Sequence, residues 1–357
     1  MNNAFIYNSI DVKKIKGSSK WRSPSNIALI KYWGKKHLQI PLNASLSISL
    51  TNCYTQTKVS YETAKKSDVK FSFLFEGNLK PSFHSKLTQF FKRIEKYCPY
   101  LSFLKLKIES TNSFPHSSGI ASSASSFSSL SLCILDIEKK LNPSMDEKYF
   151  FQKASFIARL GSGSACRSIL GFFSLWGKDN NFNQSNNFYA IKYPNKIHDL
   201  FKEICDTVLI IDKGKKEISS TTGHNLMEGH SFFQGRLAQA KINLDKLKNA
   251  LENGCYDTFI KVVESEALSL HAMMMTSDPY YILMKPNTLT VINIIWKYRI
   301  ENKLNLCFTL DAGANIHLLY PKKEIEVVQE FIKSHLLEFC ESNQYINDNI
   351  GSGPLKL

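Results

Sequence analysis

The chain has 357 residues, 43% of them hydrophobic and 21% charged, which is the composition of a folded globular protein with chain enough for two domains. No run reaches the roughly 18 to 20 apolar residues of a membrane-spanning helix, and the start MNNAFIYNSIDVKKIKGSSKW lacks a secretion-signal core, so a cytoplasmic, membrane-free protein is expected. The net charge of +14 admits a basic nucleic-acid-binding protein as an alternative; the lysines are dispersed and no basic block interleaves with aromatics, so no nucleic-acid partner is expected and a small anionic ligand is favoured.

Residues 27–62 and 69–76 hold β-branched and aromatic stretches such as SLSISL and KFSFLF, which predict an N-terminal sheet. From Ala121 the apolar positions Ala124, Phe127, Leu130, Ile134, Ile137 and Leu141 recur at helical spacing and stop near Asn142 and Pro143. Ser144 with Glu147 three residues on predicts a capped helix that ends at Gly161. GFFSLW (171–176) reads as a strand, and KDNNFNQSNNF (178–188) as a surface loop.

TVLIID (207–212) reads as a buried strand opening a second domain. Helices follow over about 231–252, 256–275, 287–302 and 323–340, with strands NLCFTL and IHLLY between the last two. Strands and helices mix without regular alternation, which gives an α+β class with domains 1–205 and 206–357 and no internal repeat. The eight cysteines are scattered, without a C-x-x-C pair, and read as reduced thiols that fill core space. Met273, Met274 and Met275 read as helix packing, and His224 with His230 lack the spacing of a zinc site.

Five segments carry chemistry. NSFPHSSGIASSASSFSS (112–129) runs a Pro/Gly/Ser turn into a helix start, where free N–H groups and small side chains suit phosphate; it is not a Walker loop. In SNIALIKYWGKK, Lys31, Tyr32 and Lys35 fit either an anion site or an ordinary strand end. RLGSGSACRS offers Ser162, Ser164 and the planar fork of Arg167, or a plain helix corner. KGKKEISSTTGHN (213–225) sets small hydroxylic residues beside lysines. Asp311, in TLDAGAN at the end of an apolar strand, is either a tunable acid at a cleft or a turn-capping residue.

NIALIKYWGK, SFPHSSGIASSAS, ARLGSGSACRS, ISSTTG and LDAGAN, in this order across about Ser23 to Asn315, resemble the diphosphomevalonate decarboxylase family of the GHMP-kinase superfamily. The resemblance implies an N-terminal domain like ribosomal S5 domain 2, a C-terminal ferredoxin-like domain, an active site in the cleft between them, and a homodimer. It implies ATP and Mg2+ as cofactors and mevalonate 5-diphosphate as substrate, phosphorylated at its 3-hydroxyl and then stripped of phosphate and carbon dioxide.

By position, Asp311 would be the base and Lys31 its catalytic partner. Tyr32, Lys35, Ser162, Ser164, Arg167, Ser220 and Thr221 would bind substrate. Ser110 and Asn112 would hold adenine, while Pro115, Ser118, Gly119, Ala121, Ser122 and Ser123 would form the ATP phosphate loop, with Ser122 touching magnesium. His116 stands where the family carries a small residue, Ala314 where many carry proline, and His224 where methionine is common. Retention of both Asp311 and Lys31 argues against a relative that only phosphorylates mevalonate at the 3-position. Another GHMP small-molecule kinase and a decarboxylase of the 5-monophosphate remain the alternatives within the superfamily.

Overall fold

The computed structural model describes residues 3–8, 14–115, 120–214 and 220–357. Strand β1 (Lys16–Ala28) begins well before the β-branched stretches that predict the sheet. Its inward positions Ser19, Trp21 and Ser23 alternate at period two, but two of the three are serines, so a hydrophobic pattern does not register there.

The short strands β2 (Lys35–Lys36) and β3 (Ile40–Pro41) form a hairpin. The long β4 (Ser45–Thr63) lies antiparallel to β1, and β5 (Lys70–Phe75) and β6 (Asn78–Leu79) build the far edge. Helix α1 (His84–Ile94) buries Leu87, Phe90, Phe91 and Ile94 at helical spacing. Strand β7 (Leu104–Asn112) turns Leu104, Leu106, Ile108 and Ser110 inward, antiparallel to β4 and parallel to β5.

Helices α2 (Ser122–Leu141) and α3 (Glu147–Gly161) pack together over this sheet. The serine-rich face of α2 approaches closely because its hydroxyls pair with the strands. Ser125 meets Thr55 at 2.7 Å, Ser129 meets Thr57 at 2.7 Å, and Ser128 meets Ser23 at 2.5 Å. Part of the serine signal, Ser125, Ser128 and Ser129, is thus packing rather than ligand chemistry. The cap of α3 is Asp146, whose carboxylate accepts from the Tyr149 amide at 2.8 Å; Ser144, the expected cap, donates to Asn142 instead.

Strands β8 (Phe173–Trp176) and β9 (Ile191–Lys192) complete the sheet beside the first half of β4, with 178–188 as a loop.

The second sheet has the order β11-β12-β10-β13, read from β10 (Ile204–Leu209), β11 (Cys307–Thr309), β12 (Ile316–Pro321) and β13 (Tyr345–Asn349). Between them come α4 (Ser220–Asn225), α5 (Phe233–Asn253), α6 (Tyr256–Met275) and α7 (Pro286–Asn302). Gly254 stops α5 in the left-handed region at φ 75°, where a glycine costs nothing. The helix expected over 323–340 is only α8 (Ile325–Phe331), followed by a π turn and a 3-10 turn.

The chain end returns to the first sheet: β14 (Leu355–Lys356) pairs with β1, and Asp348 accepts the amides of Thr51, Asn52 and Cys53 at 2.7 to 2.8 Å. An apolar core containing Leu46, Ile48, Leu50, Val208, Leu247 and Phe259 joins the two halves. Seven of the eight cysteines are buried and Cys255 is exposed; all eight are free thiols. Of the three methionines expected to pack, Met273 and Met274 do so in the core, while Met275 is exposed. Among the described residues no helix is long and apolar enough to cross a membrane.

Candidate active site

Between the two sheets lies a cavity of about 580 Å³, lined from the N-terminal half by Lys31, Tyr32, Lys35, Ser110, Ser122, Ser123, Ser162, Ser164 and Arg167, and from the C-terminal half by His224, Leu270, Asp311 and Ala312. Lys31, Lys35, Lys86 and Arg167 line it against a single carboxylate, Asp311, among the described residues. A polyanion is what such a lining attracts.

Lys31 follows β1 in the buried run Leu29–Ile30, which carries it into the interior; its side chain is 2% exposed. Its Nζ lies 3.2 Å from Asp311 Oδ1. Burial pulls the ammonium below its ordinary range and Asp311 opposes that pull. Asp311 follows β11 in a turn whose other end is fixed by Asn315. That side chain accepts the amides of Ile211 and Asp212 at 2.7 and 2.9 Å.

Arg167 sits in the tight turns after α3, buried, donating through Nε to Asn26 Oδ1 at 3.2 Å and through Nη1 to Ser45. The ion pairs of the described residues do not include it, so its charge faces the cavity without a bonded carboxylate. Tyr32 stacks on His224 at 4.6 Å and packs edge-on against Trp176 at 4.8 Å. Burial pushes its phenol well above the ordinary range. Gly163 is required beneath it: a Cβ there would meet Tyr32 Oη at 2.5 Å.

Lys35, in the β2–β3 hairpin, is pulled down to about 8 by burial and then by Arg93 and Lys86. His224 is driven to about 3 by burial and is therefore neutral; its Nδ1 accepts from the Gly34 amide at 3.0 Å.

The first turns of α2 suit phosphate and a hard cation. Ala121 turns at φ 47° into the helix, Ser122, Ser123 and Ser126 line the cavity, and Ser123 pairs with Ser162 across it at 3.2 Å. Ser118, Gly119 and His116 lie outside the described residues, as do 215–219 and the side chains of Ser220 and Thr221, which open α4. Asn112 and Pro115 do not line the cavity; Asn112 accepts from Thr55 at 2.8 Å and acts within the sheet.

The sequence did not disclose the apolar end of the cavity, formed by Phe73, Phe75, Phe83, Leu87, Ile108 and Leu130 around Ser110. Its one local sign is the period-two spacing of Phe73 and Phe75 in KFSFLF, which puts both rings on one strand face. An apolar end next to a hydroxyl-lined segment is suited to a nucleotide base and its phosphates.

Fold and cavity together define a GHMP-kinase-type enzyme. Residues 23–188 match the family model described as the diphosphomevalonate decarboxylase-like N-terminal domain, and residues 207–352 that of the mevalonate 5-diphosphate decarboxylase C-terminal domain. The chain is 30% identical over 316 residues to diphosphomevalonate decarboxylase of Saccharomyces cerevisiae, covering 84% of this chain and 76% of that one.

Two solved structures, one of MDDEF with MVAPP, AMPPCP and magnesium and one of the mevalonate diphosphate decarboxylase from Enterococcus faecalis, superpose with TM-scores of 0.81 and 0.80. Both are 28% identical and cover 96% of this chain and 99% of their own. The chain belongs to the diphosphomevalonate decarboxylase family.

Proposed function

We propose that the protein converts mevalonate 5-diphosphate to isopentenyl diphosphate by ATP-dependent decarboxylation. The carrying observation is the Lys31–Asp311 pair, 3.2 Å apart in a cavity whose other charged lining residues, among those described, are Lys35, Lys86 and Arg167. A tertiary alcohol is a weak nucleophile, and a positioned carboxylate beside a cation is what its phosphorylation needs. The substrate bound to the related MDDEF complex, together with its nucleotide analogue and magnesium, supports the same reading.

In this reading Asp311 takes the proton of the 3-hydroxyl as its oxygen bonds to phosphorus and the bond from that phosphorus to the ADP oxygen breaks, while Lys31 pairs with the carboxylate and orients it. ATP supplies the phosphoryl group when bound, and magnesium neutralises its phosphates. Ser122 and Ser123 would hold those phosphates, Ser122 as the residue that would contact the magnesium, and Ser110 borders the apolar end of the cavity. By the family resemblance, Ser220 and Thr221 would bind substrate near its phosphates.

Arg167 holds the substrate carboxylate near the reacting phosphoryl, with Ser162 and Ser164 beside it. Tyr32 and Lys35 take the diphosphate. Cleavage of the C3–O bond then releases phosphate, and cleavage of the bond to the carboxylate releases carbon dioxide and leaves its electron pair as the new double bond.

Purified protein with ATP, magnesium and either mevalonate 5-diphosphate or the 5-monophosphate is the test. One ADP and one carbon dioxide per diphosphate consumed is expected. ADP without carbon dioxide would reduce the protein to a kinase, and preference for the monophosphate would change its substrate.

A further inference from the structure

We infer that helix α6 sets the spacing of Lys31 and Asp311, through Glu266 and His271 acting as positioning residues on the two backbones. The inference rests on the reading of that pair as the reacting centre.

The pair spans two sheets: Lys31 follows β1 of the first, and Asp311 follows β11 of the second. A lysine side chain has four rotatable bonds, and one 3.2 Å contact does not fix where its backbone lies. Glu266 supplies the missing constraint. Its Oε2 accepts the Lys31 amide at 2.8 Å, while Arg236, from α5, donates to the Lys31 carbonyl at 3.3 Å. Glu266 is itself immobilised: Arg236 binds both of its oxygens and Asn243 donates to Oε1 at 2.7 Å. Glu266 is fully buried and Arg236 and Asn243 nearly so, which makes the arrangement stiff.

Five residues further along the same helix, roughly 7.5 Å along its axis, the buried His271 contacts the Asp311 carbonyl through Nε2 at 3.1 Å. A carbonyl only accepts, so Nε2 carries the proton. One rigid element thus grips the peptide of each partner, and the separation of the pair follows the length of α6 rather than the relation of the two sheets. Neither Glu266 nor His271 lines the cavity among the described residues.

The test compares His271→Leu with His271→Gln, and Glu266→Ala with Glu266→Gln, in the full chain with ATP, magnesium and mevalonate 5-diphosphate. Glutamine at 271 still presents an N–H, and glutamine at 266 still presents an acceptor. Both Glu266 variants leave Arg236 without its carboxylate, so the difference between them isolates the hold on Lys31.

His271→Leu and Glu266→Ala should lower kcat roughly ten- to a hundredfold, the effect of a displacement near 1 Å, with both KM values changed less than about threefold. The glutamine variants should recover most of the loss. Wild-type kcat in folded His271→Leu, an equal loss in its glutamine counterpart, or a loss confined to KM would overturn the inference. Thermal melts establish folding, and the His271 comparison decides alone if Glu266→Ala does not fold. An active Asp311→Asn enzyme would instead remove the reading beneath the inference, whatever the α6 variants do.

Discussion

Lys31 and Asp311 stand 280 positions apart in the chain and meet at 3.2 Å across the junction of its two sheets. The lysine is nearly fully buried and the aspartate about a quarter exposed, so the ammonium bears most of the desolvation cost. Lys31→Met should therefore lower turnover by roughly two orders of magnitude while changing stability by less than about 1 kcal/mol. Paired assays and thermal melts check both halves of that expectation. A large drop in Tm alongside the lost activity would show the ammonium to be structural.

Lys35 gives a pH signature. Its ammonium is held down to about 8, so it loses its charge as pH rises through that value, and an anionic substrate then loses a partner. kcat/KM for the diphosphate, which reports the free enzyme, should decline above pH 8. Lys35→Arg should move that decline beyond the assay range, because a guanidinium stays charged. An unchanged profile in Lys35→Arg would place the titration on another group.

Gly163 tests the seat of Tyr32. A methyl group there would fall 2.5 Å from Tyr32 Oη and 2.9 Å from the Trp176 ring. Gly163→Ala should cost about 1–3 kcal/mol of stability and raise KM for the diphosphate more than KM for ATP, since the displaced phenol lies on the substrate side. Equal effects on both constants would argue for a general disturbance.

Arg236 and Glu266 form a buried pair between α5 and α6. Arg236→Met leaves the Glu266 carboxylate buried without its cation and should cost about 3–5 kcal/mol by denaturant titration. Little change would mean that Asn243 and the Lys31 amide suffice to hold it.

Much of the cavity was legible because its residues come in short local runs. Lys31 with Tyr32 and Lys35, Ser162 with Ser164 and Arg167, and Ser122 with Ser123 each sit in one turn, so segment order alone brought them under one reading. Asn112 and Pro115 lie in the same kind of run but do not line the cavity: Asn112 shares the Ser110 face of β7 and accepts from Thr55, and Pro115 lies beyond the strand.

What escaped depends on tertiary contact. Glu266 and His271 look like ordinary residues of an amphipathic helix, and their importance comes from what lies opposite. The first half of β1 hid its buried face behind serines, and β13 with β14 is too short and polar to announce itself. The left-handed Ala121 that turns the chain into α2 is likewise set by its surroundings.

The most direct test of the account is Asp311→Asn, with turnover and nucleotide binding measured on the same preparation. The variant should bind ATP analogues and mevalonate 5-diphosphate nearly as the unaltered protein does, yet release carbon dioxide roughly a thousandfold more slowly. Carbon dioxide release at an undiminished rate would contradict the account and place the base elsewhere in the cavity.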